Sequence, residues 1–174
     1  MQLQTPNYRL PTTKRKSKGF SLIELLVVVG ILAVLTAFLM ANIASGRARA
    51  RDSVRKADFD GLRKALRIYY NDYQSYPTAS GTQIAGCADG VTACSWGGVF
   101  STANTEYMKR LPTDPINISP NVYTYAQRSA GEGFLLSTYL ETTTDESDGK
   151  SQLRCGVIVS VANKTPQLYV ECEK

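Results

Sequence analysis

The chain has 174 residues, of which 43% are hydrophobic and 20% charged, with a net charge of +5, four cysteines and no histidine. That length suits one domain with its own core, and the missing histidine excludes Ser-His-Asp and Cys-His nucleophiles and every His-ligated metal site. The excess charge lies in residues 1–19, which hold Arg9, Lys14, Arg15, Lys16 and Lys18 and no acid; the remainder carries 15 basic against 15 acidic residues, so the rest of the chain shows no net basic footprint for nucleic acid.

Residues 1–13 are polar, contain Pro6 and Pro11, and are expected to form no stable structure. KRKSK (14–18) then makes a positive flank. From Phe20 to Gly46 the only charged residue is Glu24. As a helix at ~1.5 Å per residue this run reaches about 40 Å, enough for a bilayer core of ~30 Å. A cleaved secretory signal fits poorly, because the run exceeds the usual ~7–15-residue apolar region and lacks a small-x-small site followed by polar sequence. It reads as a retained span. Its far flank is also basic, with Arg47, Arg49, Arg51, Arg55 and Lys56 against Asp52, so flanking charge does not orient it.

Phe59, Leu62, Leu66, Tyr69 and Tyr73 follow a 3-4-3-4 spacing, which predicts one apolar stripe on a continuing helix. Gly61 weakens that helix modestly, and Pro77 after Tyr76 is expected to stop it. The basic run RARARDSVRK (47–56) scatters around the helix, and is expected to be a solvated or interface face rather than a phosphate-binding stripe.

Residues 78–121 are rich in Gly and Pro and read as loops, with a short helix expected near Thr102–Arg110. Four period-2 segments follow: VYTYAQ (122–127), GFLLSTYLE (133–141), LRCGVIVSV (153–161) and QLYVEC (167–172). They predict an antiparallel meander whose apolar face covers the helical stripe.

No C-x-x-C pair occurs among Cys87, Cys94, Cys155 and Cys172, and two disulfides are preferred to a metal site. Disulfides would put the region that bears them in an oxidising space. A hairpin turning on Asn163-Lys164 places Pro166 at a non-hydrogen-bonded position and Cys155 opposite Cys172. Their Cα separation of ~4.5 Å would then be at the short end of the disulfide range. Cys87 and Cys94 would close a small loop.

The stretch KGFSLIELLVVVGILAVL (18–35) resembles the cleavage and methylation signal of type IV pilins and type II secretion pseudopilins. The resemblance covers the leader and the long helix. LRKALRIYYNDYQSYPT and MKRLPTDPINISPNVYTY resemble the head of the major pseudopilin more loosely. It implies an α+β pilin-like ladle fold, a long N-terminal helix packed on a small antiparallel sheet. It implies a cytoplasmic leader, 1–19, cut by a prepilin peptidase between Gly19 and Phe20, with N-methylation of Phe20. A transmembrane and filament-core helix (20–46), an amphipathic helix (47–76) and an extracytoplasmic head (77–174) follow. The expected partners are further copies in a filament, minor pilins or pseudopilins, the peptidase, an inner-membrane assembly platform with its ATPase, and membrane lipid. The expected location is the cytoplasmic membrane, single-pass.

Glu24 is the residue that the resemblance assigns to assembly. A carboxylate at bilayer depth costs about 2.5–3.5 kcal/mol. Cleavage would create a free amine on Phe20, and pairing of Glu24 with that amine in a neighbouring subunit would relieve both buried charges.

Two departures from the family pattern stand out. LMANIASG (39–46) lacks the mid-helix proline of many members, leaving Gly46 as the soft point. TTTDESDGK (142–150) supplies Asp145, Glu146 and Asp148, hard oxygen ligands suited to calcium, without regular D-x-D-x-D-G spacing, and a solvated acidic turn is the preferred reading. No cofactor is expected beyond that calcium candidate, and no catalytic residue. Asp114 in LPTDP reads as part of a rigid turn, and Trp96 as an anchor for the 87–94 loop. The alternatives are a membrane-tethered extracytoplasmic binding domain with no filament role, and a DNA-uptake pilin.

Overall fold

The computed structural model describes residues 19–87, 92–157 and 167–173. It has an α+β fold in which helix α1 (Leu22–Tyr73) precedes eight short strands and a second helix. Two compact units divide the chain, residues up to 42 and residues from Ile43 onward.

In the first unit, α1 begins directly after Ser21, whose carbonyl accepts the Leu25 N–H at 3.2 Å. Apolar side chains from Leu22 to Met40 are all exposed, from Val28 at 45% to Leu22 at 81%. By length and composition the helix can cross a membrane.

In the second unit, three antiparallel sheets are formed. β1 (Ala79–Ser80), β2 (Gln83–Cys87) and β3 (Thr92–Cys94) make the first, and β4 (Phe100–Ser101) with β5 (Glu106–Met108) the second. The third, in the order β6-β7-β8, joins β6 (Thr124–Arg128), β7 (Gly133–Leu140) and β8 (Gln167–Glu173). Along β7, Phe134, Leu136, Thr138 and Leu140 point inward, the period-2 pattern of a half-buried strand. Phe134 and Leu136 join Phe59, Leu62 and Leu66 of α1 in one cluster. Full burial of each such side chain stabilises by about 1.5–3 kcal/mol. Phe59, Leu62 and Leu66 of the helical stripe are therefore covered by a sheet, Tyr69 is partly buried against the same cluster, and Tyr73 at the stripe's end stays exposed.

Tyrosines fill much of the rest of the core, and three of them have hydrogen-bonded hydroxyls. Tyr123 donates to Asp58 at 2.7 Å, Tyr107 to Asp72 at 2.9 Å and Tyr125 to the Pro77 carbonyl at 2.6 Å. Trp96 packs edge-on against Tyr123, with 5.9 Å between ring centroids. The β6–β7 turn depends on Gly131. At φ +102° it sits where a Cβ would lie 2.1 Å from Ser75 Oγ, and its carbonyl accepts the Tyr76 N–H at 2.7 Å.

The structure corrects four sequence expectations. α1 ends at Tyr73 rather than Tyr76, because Gln74 turns into the left-handed region (φ 55°). Residues 78–121 are not all loop, since β1 to β5 lie there. Instead of a helix in Thr102–Arg110, Glu106–Met108 pairs with β4, which turns Tyr107 into the core. Leu153–Cys155 are not in a strand. They end α2 (Ser147–Cys155), which Gly156 stops at φ 62° as its N–H bonds to the Leu153 carbonyl and that of Val157 to the Gln152 carbonyl. The supposed turn at Asn163-Lys164 lies outside the described residues.

Candidate assembly site and an ion-paired head

Gly19, Phe20 and Ser21 immediately precede α1, and Glu24 lies in its first turn. A carboxylate there is favoured by the N-terminal end of the helix dipole. Among the described residues Glu24 has no ion-pair partner, and it is exposed, as is Phe20 at 77%. The three residues named in the sequence for processing and assembly thus lie within one stretch of chain. Each is exposed, Glu24 on α1 and Gly19 and Phe20 just before it, beside apolar side chains that are themselves exposed. A lone carboxylate in such surroundings offers one chemistry to a like molecule, acceptance of hydrogen bonds from a cation.

The second unit contains an arrangement that the sequence did not disclose. Arg55 is fully buried and forks onto Asp114, with Nε donating to Oδ2 at 2.6 Å and Nη2 to Oδ1 at 3.0 Å. Its Nη1 donates to Asp52 Oδ1 and Glu141 Oε1, both at 2.7 Å. Asp52 in turn accepts the backbone N–H groups of Glu141 (3.0 Å) and Thr142 (2.9 Å). Asp114 accepts those of Ile116 (2.8 Å) and Asn117 (3.2 Å). Arg51 closes the cluster by donating to both oxygens of Glu141.

Two guanidinium groups thus meet three carboxylates, and backbone donors offset the excess negative charge. Burial alone would lower the Arg55 pKa, but the hydrogen bonds to Asp114, Glu141 and Asp52 outweigh it and leave it raised. Burial would raise Asp114; Arg55 and the two backbone N–H groups hold it lowered instead. The Arg51 hydrogen bond, opposed by burial and helped by Arg55, brings Glu141 down to about 2.

This corrects the reading of RARARDSVRK as a solvated or interface face. Arg55 is in the core, Arg51 and Lys56 are ion-paired with Glu141 and Asp145, and Arg47 and Arg49 are exposed. A usable signal was present, because extending the 3-4 spacing backward from Phe59 lands on Arg55 and then Asp52. Asp114, likewise, is more than a turn residue.

Of the calcium candidates, Asp145 binds Lys56 and accepts the Ser147 N–H at 3.0 Å. Burial would raise its pKa, but Lys56 and Ser147 bring it down to about 2. Glu146 is exposed and pairs with Lys150 at 3.4 Å. Among the described residues, no three acidic or cysteine side chains gather as a metal group. The cysteines are joined as Cys87–Cys94, with 5.3 Å between Cα atoms, and Cys155–Cys172, with 5.7 Å.

An apolar helix long enough to cross a membrane, with one carboxylate near its start and an α+β unit after it, defines the class of pilin-like structural subunits. The comparisons are specific. The prokaryotic N-terminal methylation motif matches residues 14–40. Type II secretion system core protein G of Escherichia coli is 33% identical over 101 residues, covering 58% of this chain and 67% of that protein. The protein of the same name in Pseudomonas aeruginosa is 31% identical over 105 residues, covering 59% and 70%. The type IV wide pilus major component PilA4 of Thermus thermophilus is 39% identical over 71 residues; the match covers 41% of this chain and 54%, about half, of that pilin. The chain belongs to the type IV pilin and type II secretion pseudopilin family. No solved structure matches it.

Proposed function

We propose that the protein is a filament subunit made as a precursor. Residues 1–19 are removed as a leader, Phe20 becomes the N-methylated first residue, and residues 20–46 serve as membrane span and then filament core. Residues 47–76 continue as an amphipathic helix, and 77–174 form an extracytoplasmic head. The subunit waits in the cytoplasmic membrane as a single-pass protein and polymerises into a type IV pilus or a secretion pseudopilus. The peptidase, assembly platform and ATPase supply the catalysis and the work, and minor pilins or pseudopilins join the filament.

The observation that carries this reading is Glu24, a lone carboxylate among exposed apolar side chains inside a matched methylation motif. In a bilayer it costs about 2.5–3.5 kcal/mol. A neighbour's Phe20 amine, freed by cleavage, cancels that charge and sets the axial register of one subunit on the next. An isolated membrane anchor has no use for such an acid. The experiment is intact-mass and N-terminal peptide analysis of the protein from cells with an active prepilin peptidase. A chain starting at N-methyl-Phe20 is expected, and one starting at Met1 rejects the proposal.

A further inference from the structure

Among the described residues β8 is the terminal strand of its sheet, and an open strand edge is a template for pairing with another chain. The edge is covered here by α2, through side chains. The Val170 N–H donates to Ser151 Oγ at 3.2 Å, and Gln152 Nε2 donates to the Leu168 carbonyl at 2.6 Å. Arg154 reaches Glu171 at 2.6 Å, and Arg128 donates to the Cys155 carbonyl at 2.9 Å. Among the described residues, helix side chains thus stand where a fourth strand would pair.

The hold of α2 on the sheet is almost wholly polar. The helix buries only Ser151 and Cys155, while its one aliphatic residue, Leu153, is 81% exposed. It has nine residues with Gly149 among them. Isolated helices shorter than about 12–15 residues are marginal in water, and a glycine inside one weakens it further. What fastens α2 is therefore its last residue, Cys155, bonded to Cys172 of β8.

We infer that α2 is a redox-latched cover of the β8 edge, closed by the Cys155–Cys172 disulfide and open when both are thiols. Closing it joins the two sulfurs and releases two protons and two electrons. The electrons pass to a disulfide-bearing oxidant, a thiol oxidoreductase or a small-molecule disulfide, which becomes a dithiol. A dithiol reductant reverses the step. The edge of a newly made chain thus stays open to strand addition until the chain meets an oxidising space. The inference does not depend on filament assembly, so failure of either leaves the other standing.

The test is residue-resolved hydrogen exchange on the full-length chain in detergent micelles, with and without dithiothreitol. The Cys155→Ser/Cys172→Ser double variant, which keeps Cys87–Cys94, is measured alongside, so that a variant that fails to fold still leaves the reduced natural chain. On opening, amides of Lys150–Cys155 and the Val170 amide should exchange at least about tenfold faster, while β6 and β7 change less than about twofold. Unchanged exchange in α2 overturns the inference, since the hydrogen bonds alone would then hold the cover. Loss of protection throughout β6, β7 and β8 overturns it equally, since the disulfide would then support the whole sheet.

Discussion

Arg55 on α1 and Asp114 in the loop after β5 form a buried two-point ion pair, 2.6 and 3.0 Å long, across 59 residues of sequence. Asp52 and Glu141 share the same guanidinium. One side chain of the helix therefore fixes both the 114–117 turn and the end of β7. Replacing Arg55 by Leu takes the guanidinium away from buried Asp52 and Asp114 and leaves Glu141 with Arg51 alone. Removing one partner of a buried pair costs about 3–5 kcal/mol, so denaturant unfolding of Arg55→Leu should show a loss of that size. A loss below about 1 kcal/mol would show the cluster to be incidental.

Acid should loosen the head through the same residues. Glu141 falls from 4.5 to about 2, Asp145 from 3.8 to about 2, and Asp114 is also lowered. A carboxylate with a depressed folded pKa contributes stability that is complete above its unfolded value and is lost as pH falls through the folded one. The expected window runs from about pH 4.5 down to 2. Asp58 acts the other way, because burial raises it despite Tyr123, so its protonation offsets part of the loss. The melting temperature should fall across this window, and Glu141→Gln should flatten the fall. A temperature that is constant from pH 5 to 2 contradicts the assignment.

Glu24→Ala separates anchoring from assembly. Removing the charge makes membrane insertion easier, so the variant should fractionate with membranes as the natural chain does and still be cut after Gly19. Its incorporation into filaments should drop at least about tenfold, the cost of leaving the neighbour's amine unpaired in lipid. Normal filaments from this variant would refute the pairing.

Gly131→Ala tests the β6–β7 turn. A side chain at φ +102° is strained, and its Cβ would lie 2.1 Å from Ser75 Oγ. Destabilisation above about 1 kcal/mol is expected by calorimetry. Ser75→Gly added to Gly131→Ala should recover the steric part and leave the backbone part. Equal stability of Gly131→Ala and the natural chain would refute the stated constraint.

Local chemistry explains what was legible in advance. The apolar run with Glu24, the stripe of Phe59, Leu62 and Leu66, and the alternation along β7 are each set by side chains a few residues apart. The ion cluster was not legible, because nothing near Arg55 announces Asp114 and Glu141. Its stripe position argued for burial, but its charge argued against. The start of the 153–161 segment misled for the opposite reason. Its composition suggests strand from Leu153 onward, yet Leu153–Cys155 end a helix that Gly156 stops, and Ser151 and Gln152 of that helix are engaged by β8; residues 158–161 lie outside the described residues.

By itself, then, the sequence determined the membrane-length helix, the N-terminal methylation motif with its acid, and a strand-rich second unit, since these depend on the order of neighbours along the chain. Tertiary structure decided the rest: which arginine is buried, which carboxylates receive it, and that side chains of α2 bond to the backbone of β8. Those outcomes rest on desolvation and on hydrogen-bond satisfaction between segments far apart in sequence. A buried charge is tolerable only where its partners arrive together, and only the folded chain brings them together.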